Sequence, residues 1–215
     1  MATAPRSAPY IWVTWITKLL SGDDQCQWSS WFKAHFTYDK APRDFDVAAW
    51  TAAHNDMLRK RVAALTADGW LVFLENQNAF NLHGEIATLA GKPDILAVRD
   101  KEARVIDCKT GKRRDSDYQQ VLVYLQMLPL THDAVKGCRL TGELQYTDGS
   151  VEIRPEELTP AVRDRIVGEI KRAGAVDPPE RVPSYKECLF CDITAENCPD
   201  RIEKKRTATA AKGLF

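Results

Sequence analysis

With 215 residues, 44% of them hydrophobic and 28% charged, the chain can bury one substantial core without covalent staples. Its composition excludes collagen-like, coiled-coil and wholly disordered architectures. Thirty Lys and Arg balance thirty Asp and Glu, which argues against nonspecific coating of nucleic acid while leaving a local basic groove open.

Residues 1–20 form a first unit. Within it Tyr10 to Leu20 carries Ile11, Trp12, Trp15, Ile16 and Leu19 at helical spacing and predicts a short helix. The stretch is about half the ~20 residues a bilayer needs and contains Lys18, so it does not span a membrane. Without a basic leader or a small-x-small cleavage site it is no secretory signal either, and the expected compartment is the reducing cytoplasm. Six cysteines then call for a role other than disulfides.

Asp46 is an N-cap candidate for a helix of about twenty residues. Its predicted inner face is Val47, Trp50, His54, Leu58, Val62 and Leu65, and it stops at Asp68-Gly69. Strand-like runs follow at Trp70 to Glu75, Ala79 to His83, Glu85 to Ala90, Asp94 to Val98 and Arg104 to Cys108, read as one meandering sheet. A helix is expected from Asp115-Ser116 to Pro129, then strands around Ala134 to Tyr146 and Val151 to Arg154, then a helix from Thr159-Pro160. Residues 21–175 thus form an α/β or α+β core with a central sheet flanked by helices. Residues 176–200 are a proline-rich link and a cysteine-bearing segment, and residues 201–215 a basic tail expected to lack structure.

The chemistry concentrates in Gly91-Lys92-Pro93-Asp94 and, thirteen residues beyond Asp94, Asp107-Cys108-Lys109. Alternation along a strand puts Asp107 and Lys109 on one face and Cys108 on the other, toward the core. Two converging carboxylates repel unless a cation separates them, and oxygen donors suit hard Mg²⁺ or Mn²⁺. A lysine beside that ion completes what phosphodiester hydrolysis needs. The same spacing also describes salt-bridged surface strands. His54, on an apolar helix face, taken alone reads as a hydrogen-bonded core histidine more readily than as a ligand. Cys188-x2-Cys191-x6-Cys198 has metal-ligand spacing; a tetrahedral set needs a fourth thiol, and Cys26 is the best candidate because Cys108 and Cys138 fall in predicted strands. Spacing alone does not separate zinc from iron–sulfur.

Asp94 after Gly91 in an apolar strand, then Asp107-Cys108-Lys109-Thr110-Gly111, then Gln120 and Tyr124 four apart on the next helix, resemble the PD-(D/E)XK nuclease superfamily in its RecB-like branch. One cysteine before that core and three after it resemble the CRISPR-associated protein 4 (Cas four) family and related iron–sulfur exonucleases. The resemblance implies a restriction-endonuclease-like core and a 4Fe–4S cluster on Cys26, Cys188, Cys191 and Cys198. It further implies a Mg²⁺ or Mn²⁺ site of His54, Asp94, Asp107 and the Cys108 carbonyl, with Lys109, Gln120 and Tyr124 as catalytic partners. Two departures are visible: Asp107 stands where many relatives have Glu, and Cys26-Gln27-Trp28 replaces the usual Cys-Pro-Arg. Glu75 is a possible supporting acid without a fixed role.

Between Arg99 and Arg114 seven basic residues face three acids, and Lys112, Arg113 and Arg114 place a basic turn at the mouth of the site, where DNA would bind. Trp28, Trp31 and Phe32 suit base stacking or, alternatively, packing of a helix on the core. The implied activity is exonucleolytic cleavage of single-stranded DNA from 5′ ends, in DNA repair or in CRISPR adaptation beside integrase partners. The rivals are a non-cleaving DNA-binding module of the same fold and a site-specific restriction-type endonuclease.

Overall fold

A computed structural model describes residues 3–42 and 45–203. The expected tail beyond residue 203 lies outside them. The elements are β1 (Ala4–Pro5), β2 (Tyr10–Trp12), α1 (Val13–Ser21), α2 (Gln27–His35), β3 (Phe36–Thr37), α3 (Val47–Ala67), β4 (Leu71–Leu74), β5 (Phe80–His83), β6 (Thr88–Gly91), β7 (Ile95–Arg99) and β8 (Glu102–Lys109). They continue with α4 (Asp115–Thr131), β9 (Arg139–Tyr146), β10 (Gly149–Ile153), α5 (Pro160–Ala173) and α6 (Tyr185–Phe190).

The predicted meander is instead divided between sheets. A mixed five-stranded sheet has the order β10-β9-β8-β7-β4, while β2, β6 and β5 form a three-stranded sheet and β1 pairs with β3. The strands β8 and β9 run parallel, with α4 as the crossover such a pair requires. The other neighbours in the large sheet are antiparallel. The predicted N-terminal helix is shortened for the same reason: Tyr10–Trp12 pair in parallel with Thr88–Ala90, so the helix starts at Val13.

Both faces of the large sheet are covered, which explains the nearly continuous apolar character of β7 and β8. Ala103 and Val105 of β8 pack beneath α4 with Val121, Leu125 and Leu128. Ile106 and Cys108 point the other way, into a cluster with Leu58 and Leu65 of α3 and Trp70. A half-buried Arg61 on α3 bonds Glu143 of β9 at 2.7 Å, pinning the helix to the sheet.

Other expectations hold in outline and shift in detail. Asp46 caps α3 by accepting the Ala49 N–H at 2.9 Å. The inner face of that helix, however, begins only at His54: Val47 is 62% and Trp50 45% exposed, because the first two turns project beyond the sheet. Pro129 does not end α4. It lies in the last turn, and the helix runs to Thr131. A 3₁₀ turn at Asp133–Val135 delays β9 to Arg139 and leaves Cys138 outside the strand, and β6 begins at Thr88 after a turn. Among the described residues no helix is long and apolar enough to cross a membrane.

Candidate active site and cysteine lobe

The antiparallel register of β7 and β8 pairs Ile95 with Ile106, so Asp94, immediately before β7, falls beside Asp107. Main-chain bonds fix the turn that delivers it. The Asp94 carbonyl accepts the Glu75 N–H at 3.0 Å, and fully buried Asn78 donates to the carbonyls of Phe73 and Pro93. Glu75 itself has φ +37°, a conformation costly for a residue with a side chain.

The side chains then interlock. Asp94 Oδ2 accepts the Cys108 N–H at 2.7 Å and lies 3.3 Å from His54 Nε2 on α3. Asp107 Oδ1 accepts from Gln120 Nε2 at 3.1 Å, while Oδ2 is ion-paired with Lys109 Nζ at 2.5 Å. Gln120 is the hub: its amide nitrogen also donates to the Tyr124 hydroxyl at 2.9 Å, and its oxygen accepts from Lys109 at 3.0 Å. The helical spacing of four that put Gln120 and Tyr124 on one face is realised. Tyr124 is in turn seated edge-on against Phe80.

Burial dominates the electrostatics. It pushes the Asp107 carboxyl up to about 6; Lys109 opposes this and the charge of Asp94 adds to it. Burial would lower the Lys109 amine, but the charge and hydrogen bond of Asp107, together with the charges of Asp117 and Asp94, hold it above the ordinary lysine value. The hydrogen bond that His54 donates to Asp94 raises its pKa against its own burial, with further contributions from the charges of Asp94, Asp107 and Glu75. Burial also raises the Tyr124 phenol far above its usual range, so the hydroxyl that accepts from Gln120 stays neutral.

His54, Asp94, Asp107, Lys109, Gln120 and Tyr124 are therefore gathered at one end of the sheet. Hard oxygen donors, an imidazole and a buried carboxylate oxygen without a directed hydrogen bond suit a divalent cation. Among the described residues no three His, Cys, Asp or Glu side chains are grouped closely enough to hold an ion. Glu75 and Asn78 are the residues the sequence left without a role. Nothing in an Asn within a turn-like stretch announces that it will be fully buried and will staple two carbonyls. A cavity of about 470 Å³ lined by Asn55, Arg59, Glu75, Asn76 and Gln77, among others, opens beside this end of α3.

The basic turn is exposed as expected. Arg113 is engaged by Asp148 at 2.9 Å and lies over the Tyr146 ring, while Lys112 and Arg114 also face solvent. Trp28, Trp31 and Phe32 resolve differently: they are at most 9% exposed and form a core with Ile193, so they pack the chain ends together and offer no free face to a base.

That aromatic core is bordered by Cys26, Cys191 and Cys198. The lobe draws on both ends of the chain. The Cys26 N–H donates to Glu187, and Lys33 and Lys40 pair with buried Asp192. Arg201 donates to the carbonyls of Cys191 and Ile193. Burial raises the Cys26 thiol, with Cys191 contributing; burial likewise raises Cys198, with Cys26 and Cys188 contributing.

A family profile described as the PD-(D/E)XK nuclease superfamily matches residues 19–196. The chain belongs to this superfamily. Its members are typically metal-dependent nucleases that use Mg²⁺ or Mn²⁺. The crystal structure of SSO0001 superposes with a TM-score of 0.51 over 93% of this chain and 90% of that one, at 15% identity, a likeness of fold. No curated protein matches the chain.

Proposed function

We propose that the protein is a metal-dependent exonuclease acting on single-stranded DNA. The single observation that carries a hydrolytic site is the convergence of Asp94 and Asp107 with Lys109: Gln120 bridges Asp107 and Lys109, and Asp94 accepts the amide of Cys108, which lies between them in the chain. A binding module has no use for paired carboxylates that repel phosphate. Asp94, Asp107, His54 and the Cys108 carbonyl would hold Mg²⁺ or Mn²⁺. Such an ion, when bound, supplies an activated water and neutralises a phosphate oxygen. Lys109 stabilises charge developing on the phosphate oxygens, and Gln120 holds Lys109 and Asp107 in register while Tyr124 fixes Gln120. Glu75 adds negative charge beside His54.

The cysteine lobe supports a 4Fe–4S cluster on Cys26, Cys188, Cys191 and Cys198, through their spacing, their shared surroundings and the family resemblance. As they stand the thiols do not enclose an ion. Lys112, Arg113 and Arg114 would guide the phosphate backbone to the site, giving modest and salt-sensitive affinity.

End-labelled single strands, duplexes and a covalently closed single-stranded circle, incubated with Mn²⁺ or Mg²⁺, test this reading. Stepwise shortening of linear single strands from the 5′ end, with the circle intact, is the expected result. Equally fast cutting of the circle indicates an endonuclease, and discrete bands from plasmid DNA a restriction-type enzyme.

A further inference from the structure

The sequence pattern assigned Trp50 to the buried face of α3, yet it lies on the exposed first turns of that helix. Its ring stacks on His54, with centroids 5.2 Å apart and planes at 22°, and Phe45, 56% exposed, leans against it at 6.3 Å. His54 in turn contacts Asp94. An aromatic surface therefore leads from solvent directly to the proposed metal ligands.

Exposure of large rings costs free energy in water, of the order of 25 cal/mol per Å² of apolar surface left uncovered. Here the exposed rings adjoin the place where a substrate phosphate must sit. Around them α3 offers Val47, Ala48, Ala49, Thr51, Ala52 and Ala53, all exposed and uncharged, and the acid beside Phe45, Asp46, has its carboxylate engaged in capping the Ala49 N–H. The occupant that suits a flat apolar surface continuous with a phosphodiester-cleaving centre is an unpaired nucleobase, since every base has a π face and stacks without regard to sequence.

We propose that Trp50, flanked by Phe45, is the platform on which a base of the single strand next to the cleaved phosphate stacks. The inference rests on the nuclease reading and deepens it. A paired base is already stacked within its duplex, so the platform favours single strands, and it holds the backbone against the site without reading sequence. His54 backs the ring, linking the position of the base to the position of a metal ligand.

The test measures binding of oligothymidylate, and of an abasic oligomer of equal length, to the full chain in the Lys109→Ala background, so that substrate is not consumed. Trp50→Ala is expected to weaken oligothymidylate binding about tenfold and the abasic strand less than twofold, with Trp50→Tyr restoring most of the loss. Phe45→Ala, further from His54, should show the same pattern more weakly. Equal weakening on both strands means that Trp50 acts only through the position of His54, and overturns the platform. Undiminished oligothymidylate binding in Trp50→Ala does so as well. If the Lys109→Ala parent fails to bind oligothymidylate, the Trp50 variants are compared in the unsubstituted chain in EDTA; if that chain fails to bind as well, the single-strand reading falls, and the platform with it, whereas parent binding without a Trp50 effect sinks the platform alone.

Discussion

The two ends of this molecule are built by different means. At the sheet end, Asp94 and Asp107 are placed by the register of β7 and β8, and their neighbours are fixed by hydrogen bonds to them. At the lobe, residues 26–41 and 181–201 meet through a small aromatic core, a six-residue helix and ion pairs to Asp192. A site carried on strands is positioned by the fold as a whole. On the proposed reading, a lobe of short segments with little regular structure of its own would depend in addition on the cluster its thiols hold. Chemistry and stability should therefore separate under mutation.

Lys109→Ala should make the sharpest break. It should lower Mn²⁺-dependent cleavage of a linear single strand by about 10³-fold or more, with the melting temperature and any cluster colour close to those of the parent, because a raised Asp107 can take up a proton when its partner is removed. Wild-type rates in this variant would falsify the site assignment. Cys191→Ala should do the reverse: anaerobically purified protein should fall from about four irons per chain to few or none and melt about 10 °C earlier. Colourless parent protein with a single zinc would replace the iron–sulfur reading.

Gly91→Ala joins packing to chemistry. A Cβ there would lie 2.5 Å from Phe80 Cζ and 3.1 Å from Tyr124 Cε1, so the rings must move. A loss of about 1–3 kcal/mol in denaturant unfolding is expected. A rate decrease should accompany it, since Tyr124 anchors Gln120. A variant that is destabilised yet fully active would uncouple Tyr124 from the site.

The smallest effect concerns pH. Asp107 has a raised folded-state pKa, so in metal-free protein its neutral form is favoured below about 6 and its charged form above. Protons then compete with the cation as pH falls through that value. Cleavage at low Mn²⁺ should drop about tenfold per unit below pH 6, and the limb should move to lower pH as Mn²⁺ is raised. A limb insensitive to Mn²⁺ concentration would remove Asp107 from the ligand set. For stability the sign is opposite: the metal-free fold loses stability as pH rises from about 4 to about 6, since the folded state binds the extra proton there.

Local chemistry was legible wherever it depends on neighbours in the chain. The Asp46 cap, the alternation that sends Cys108 inward, and the pairing of Gln120 with Tyr124 follow from strand and helix periodicity, which tertiary context did not override. Which aromatic residues would be free was not legible. Periodicity marks a face as apolar but does not say where the body it packs against ends, so Trp50 was counted inside, and Trp28, Trp31 and Phe32 were open to either role. The parallel pairing of Tyr10–Trp12 with β6, the closing of the chain ends around Ile193, and the stapling of the Asp94 turn by Asn78 were decided by contacts between distant segments. Sequence carries the period of each element, whereas the length of its burial is set by whatever the fold brings alongside it.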